Sequence, residues 1–130
     1  MNKKTIIKIM LGFLIAVILF HLSIILKIVP YDIAWGGRLT NDTEMYLFET
    51  ISITILVFLC VILLVKGTYL KPIIPMKIVD IILWGFLIIF ALNTIGNVLA
   101  RTNFEKFFAI LTFGFSIFLW IIVGGNKKMK

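Results

Sequence analysis

The chain has 130 residues, 62% of them hydrophobic and 15% charged, whereas a soluble domain runs nearer ~45–50% apolar and ~25% charged. A bilayer-crossing helix takes ~20 mostly apolar residues, so the composition supplies about four spans and leaves little chain outside the membrane. A soluble globule, a disordered chain and a disulfide scaffold are excluded, and a separate soluble catalytic domain has no room.

Helix 1 is expected over about 9–29, in the apolar run that starts at Lys8 and continues past Lys27. Lys3 and Lys4 could instead flank a signal peptide, with Ala34-Trp35-Gly36 as its small-x-small site. A signal core is only ~7–15 residues, so the longer run reads as an uncleaved span. Gly12 and Ala16 have small-xxx-small spacing, which predicts a close helix approach. The connection to helix 2 runs from about Pro30 to Glu44 and carries Tyr31, Asp32, Trp35 and Arg38. Its Gly36-Gly37 is not followed by Gly-Lys-Ser/Thr, so it reads as a turn and not a P-loop.

Helix 2 is expected over 45–65, opened by an Asn41 cap with Glu44 three residues on. Pro72 and Pro75 belong to the connection before helix 3, expected over 78–100. Helix 4, expected over 104–123, opens on the capping-box pattern Thr102-Asn103-Phe104-Glu105 and closes at Gly124-Gly125. On helix 4, Glu105, Ala109, Thr112 and Ser116 share a face, and on helix 3 Gly85, Asn93 and Asn97 do. Such stripes serve first as glue between helices. Trp35, Trp84, Trp120, Tyr31 and Tyr46 read as interfacial belt residues. The short links predict an all-α membrane protein, a four-transmembrane-helix up-down bundle forming one membrane domain over 1–130.

Charge sets the expected orientation. Lys3, Lys4, Lys8, Lys66, Lys71, Lys77, Lys127, Lys128 and Lys130 fall on the side of both termini. Lys27, Arg38, Arg101 and Lys106 fall on the other, with every acid except Asp80. The positive-inside rule then puts both termini in the cytoplasm. The net charge of +7 is a topology signal that also attracts anionic lipid, and no nucleic-acid partner is expected. The Ile-, Lys- and Phe-rich composition suggests a bacterial inner membrane.

Polar groups at membrane depth are costly and point to function. Measured from the expected helix midpoints, His21 lies ~3 Å, Asn93 ~6 Å, Glu49 ~9 Å and Asn97 ~12 Å toward the outside. They come from three helices and one leaflet, so they are expected to form a polar pocket open to the exterior, beneath the 1–2 connection. The candidate ligand-binding set is His21, Glu49, Asn93, Asn97 and Arg101, with Asp32, Trp35 and Arg38 from the connection. Glu49 lies deeper than a capping acid needs to, so it is expected to be held by a cation and an Asn. Each member also has a structural reading: His21 bonding a carbonyl, the asparagines bridging helices, Glu49 in an orienting ion pair, Glu105 as a cap and Lys27 snorkelling.

One His and one Cys cannot make a zinc or haem-attachment spacing, so no metal or cofactor is expected. No Ser–His–Asp arrangement is evident, and His21 with Glu49 is the single acid–base pair on offer. Small multidrug transporters share the four-span size, but their membrane-embedded Glu in the first helix has no counterpart here. The favoured reading is a small polytopic membrane protein that binds a partner, lipid or small amphiphile through the external polar pocket. The alternatives are a small transporter or channel subunit, or an intramembrane lipid-modifying enzyme using Glu49 and His21. Membrane lipids are the expected partners, with a membrane protein or a second copy of the chain as further ones.

Overall fold

The structure, a computed structural model, describes residues 2–31, 39–100 and 103–124. Four helices follow one another: α1 Lys3–Ile25, α2 Asp42–Lys66, α3 Met76–Val98 and α4 Asn103–Gly124. Each is long and apolar enough to cross a membrane, and the described residues contain no strand. The chain is an all-helical membrane protein folded as a four-helix bundle. Neighbours in sequence pack as neighbours in space, and α4 returns to α1. The α3–α4 and α1–α2 pairs pack extensively, whereas the α2–α3 and α1–α4 seams are looser.

The helix ends explain where the expected boundaries shift. α1 begins six residues early because Asn2 caps it, accepting a hydrogen bond from the Thr5 amide at 2.8 Å. It stops at Ile25, short of the expected 29, because Lys27 adopts a left-handed conformation (φ 62°). The amides of Lys27 and Ile28 then donate back to the carbonyls of Ile24 and Ser23. That is a Schellman closure, usually made by glycine. Lys27 in turn reaches Asp42 of α2, and this carboxylate raises the pKa of the Lys27 ammonium.

α2 begins at the expected Asn41, whose side chain accepts from the Glu44 amide at 2.9 Å. The Glu44 carboxylate accepts from the backbone amide and hydroxyl of Thr40, one residue before the cap where the capping box would have it. α2 ends in a second Schellman closure, with Thr68 in the left-handed position (φ 65°). Gly67 beside it leaves room for the Tyr69 ring, which would have to shift to admit a Cβ 2.9 Å away. The capping residue Thr102 lies outside the described residues.

The core is unevenly distributed along the bundle axis. In the half that carries both termini, Ile7, Met10 and Leu14 of α1 meet Leu59 and Leu63 of α2. Val79 and Leu83 of α3, with Leu119 and Ile122 of α4, complete this fully buried set. Spacings of three and four residues put each group on one helix face. Outward faces are also apolar, with Phe13, Leu19, Ile88 and Ile110 exposed, as lipid contact requires. In the far half, buried residues thin out to a few, among them Glu49, Glu105, Ala109 and Thr112.

Two packing expectations need correction. Gly12 and Ala16 are exposed, and a Cβ on Gly12 would meet nothing within 4 Å, so this pair is no close approach within the bundle. Its face of α1 points away from the core that Ile7, Met10 and Leu14 fill. Gly85 is likewise open. The polar glue joins α3 to α4 instead, through the Thr94 and Thr112 hydroxyls 2.9 Å apart. Of the expected helix-4 stripe, Glu105, Ala109 and Thr112 are buried and Ser116 is partly buried, bonding back to the Thr112 carbonyl.

Candidate functional site

The loosely packed half encloses a cavity of about 490 Å³. All four helices contribute: Phe20 and His21 from α1, Ser52 and Leu56 from α2, Phe90, Asn93 and Asn97 from α3, Glu105 and Phe108 from α4. Six phenylalanines, Phe20, Phe86, Phe90, Phe104, Phe108 and Phe115, supply half of the apolar side chains in its wall. Phe20 stacks with both Phe104 and Phe108, and Phe90 meets Phe115 edge-on, so the rings hold one another in place. The exposed members of the wall are Ile55 of α2, Ile89, Leu92, Asn93 and Gly96 of α3, and Phe104 of α4. The cavity therefore opens to the side of the bundle, chiefly along α3.

His21 and Glu49 form the anchor of the site. The imidazole Nδ1 lies 2.8 Å from each Glu49 carboxylate oxygen. Glu49 is fully buried, and the His21 side chain keeps 16% of its surface. Glu49 sits behind the histidine and His21 lines the cavity. An ionised carboxylate on Nδ1 assigns that nitrogen the proton and fixes the ring plane. The contacts to Glu49 use Nδ1 alone, and His21 also lines the cavity. In the neutral ring Nε2 accepts a hydrogen bond, and in the protonated ring it donates one.

The other expected site residues divide three ways. Asn93 and Asn97 line the same cavity, but neither side chain hydrogen-bonds another described residue, and neither reaches Glu49. Asn93 is exposed at the cavity mouth and Asn97 is half-buried in its wall. Asp32, Trp35, Arg38 and Arg101 lie outside the described residues. Depth also changes. The centre of α1 falls at Leu14, so His21 stands ~10 Å from mid-helix, near the level of Asn93 at ~9 Å.

Sequence reasoning missed the aromatic wall. The phenylalanines were legible only as bulk hydrophobicity, although Phe104 and Phe108 share a helix face by their spacing. It also left Lys3 and Lys66 as plain topology charges. Lys66 is buried and pairs with Asp80 at 2.6 Å, and Lys3 is buried as well. Trp84 and Trp120 form an edge-on pair against each other, 5.7 Å between centroids.

Compared with protein-family models, with curated proteins and with solved structures, the chain finds no match.

Proposed function

We propose that this small integral membrane protein binds a lipid-like amphiphile in the phenylalanine-lined cavity, with the ligand's polar end at His21 and its chain among the rings. The observation that carries the reading is the cavity itself: a space of about 490 Å³, within the ~300–1,000 Å³ range of small-molecule sites. Its wall is mostly apolar, it carries a few polar groups, and it opens to the side of the bundle toward acyl chains. Ligand sites have this makeup: apolar walls supply affinity and a few placed polar groups supply orientation.

The close-packed layer from Ile7 to Leu14, Leu59 to Leu63 and Leu119 to Ile122 lies between the cavity and the termini. The cavity is thus a cul-de-sac, which favours binding over passage through the bundle. The basic residues around the termini support a cytoplasmic position for that end and, with it, an external-leaflet cavity.

The test is retention of lipid by the purified full chain. A lipid that co-purifies in a one-to-one ratio, identified by mass spectrometry, supports the reading. Gly96 lines the cavity and a Cβ on it meets nothing within 4 Å, so Gly96→Trp should fill the space without displacing the backbone. It should abolish retention while helix content is kept. Equal retention by the parent and the Gly96→Trp chain would overturn the proposal.

A further inference from the structure

The end of the bundle that carries the termini is rich in ammonium groups and poor in carboxylates. Of the six Asp and Glu residues in the chain, Asp80 alone belongs to this end. Lys66 engages it at 2.6 Å, and Lys3 is buried within reach of both charges. Residues 125–130 add three lysines to the same end and no Asp or Glu. No further side chain of the chain can supply an anion to the remaining lysines there.

Two of those lysines, Lys4 and Lys8, stand one turn apart on one face of α1. The Lys4 ammonium lies over the Tyr69 ring, 5.2 Å from its centroid, a contact that ties it to the connection between α2 and α3. Lys8 is exposed and bonds no other described residue. Counted from Leu14 at the centre of α1, Lys8 is rooted ~9 Å out and Lys4 ~15 Å out, against a hydrocarbon half-thickness of ~15 Å. An ammonium at the depth of Lys8 is costly, and its flexible stem lifts it to the headgroup level, where Lys4 already stands. Two like charges one turn apart repel each other, and an anion between them reverses the sign of that interaction.

The same four-residue steps continue inward to Gly12 and Ala16, both exposed. A Cβ on Gly12 would meet nothing within 4 Å, so an acyl chain can lie along this row unhindered. A second copy docked on the row in parallel would bring its own Lys4 and Lys8 against these, and like charges across an interface oppose it. A lipid satisfies both parts of the row, with its phosphate at the lysines and its chain over the small residues.

We infer that Lys4 and Lys8 hold the phosphate of an anionic phospholipid in the leaflet at the termini, with an acyl chain over Gly12 and Ala16. The phosphate oxygens accept charge-assisted hydrogen bonds from both ammoniums. A zwitterionic lipid offers the same phosphate, but its choline brings another cation into a region already crowded with them, so the net-anionic lipid is preferred. This site lies in the opposite half of the bundle from the phenylalanine-lined cavity and does not depend on it.

The test uses two probes with the same acyl chains, dioleoylphosphatidylglycerol and dioleoylphosphatidylcholine. They are added in equal amounts to the purified full chain in non-ionic detergent, and lipid carried through gel filtration is counted by mass spectrometry. The parent chain is expected to hold about tenfold more of the anionic lipid, and Lys4→Gln and Lys8→Gln should each lower that ratio about threefold. The double variant should bring it near one. Lys77→Gln, an exposed lysine at the same end but on α3, should change it little, and Gly96→Trp should leave it unchanged. Four results would overturn the proposal. One is equal retention of the two lipids by the parent. A second is an equal loss in Lys77→Gln and Lys8→Gln, which would make the attraction a diffuse property of this end. A third is loss of the preference in Gly96→Trp, which would put the anionic lipid in the cavity. The last is elution of the parent as a dimer that Gly12→Leu converts to a monomer, which would make a second copy the occupant of the row.

Discussion

At the scale of single residues, the pairing of His21 with Glu49 joins fold and site most tightly. Removing the carboxylate leaves Nδ1 of His21 facing a buried apolar void, and an unsatisfied buried donor costs about 1–3 kcal/mol. Glu49→Leu is therefore expected to lower the thermal midpoint of the detergent-solubilised chain by several degrees. Glu49→Gln keeps an acceptor for Nδ1–H and should lose far less, yet its amide no longer fixes the imidazole as a carboxylate does. Ligand retention should fall in Glu49→Gln with stability largely kept. A Glu49→Gln chain that is as unstable as Glu49→Leu would assign the pair a purely structural role. A second residue-scale prediction concerns Thr68. A β-branched residue at φ 65° is strained, by roughly 1–2 kcal/mol relative to glycine. Thr68→Gly should raise the thermal midpoint, and a fall would contradict the closure described for α2.

His21 and Glu49 were legible because they break apolar runs, and ionisable groups there need a partner. Their pairing was not fixed by sequence: His21 was placed too near mid-helix because α1 starts six residues early at the Asn2 cap and also ends early through a left-handed turn at Lys27. No residue pattern announced that turn, since glycine usually makes it. The Asn93 and Asn97 positions were legible as one face of α3, but their partner was misjudged. Whether that face meets a helix or a cavity depends on how far α2 and α3 separate, a property of the packed bundle and not of either helix.

At the scale of elements, the two halves of each helix do different work. Leu63 is fully buried in the packed half, so Leu63→Ala should cost about 2–4 kcal/mol, as large-to-small core changes do. Phe104 lines the cavity and is 39% exposed, so Phe104→Ala should cost clearly less in stability while reducing ligand retention. Thermal unfolding of the two variants side by side checks this; equal losses would mean that the far half is packed as tightly as the near one. The outward Gly12 and Ala16 give a converse case. Gly12→Leu should leave the monomer's thermal midpoint within about 0.5 kcal/mol equivalents of the parent, as surface substitutions do. A large loss would restore the close approach that the spacing suggested.

At the scale of the whole molecule, the four spans and their antiparallel order were readable because each apolar run has bilayer length and the links are short. What composition could not convey is the asymmetry along the axis, in which leucines and isoleucines fill one half and phenylalanine rings prop open the other. Chain volume alone does not reveal which side chains interdigitate and which stand apart. The bundle so built has a cavity closed toward the termini, and the proposed role for it is that of a receptacle. The most direct measurement of that claim is photo-crosslinking of the purified full chain with a diacylglycerol whose acyl chain carries a diazirine, followed by mapping of the modified residues. The account predicts label concentrated on Phe90, Phe104, Phe108 and their neighbours in the cavity wall, and lost in Gly96→Trp. Label spread evenly over the outward faces, with Phe13, Leu19 and Ile110 modified as often as the cavity phenylalanines, would contradict it.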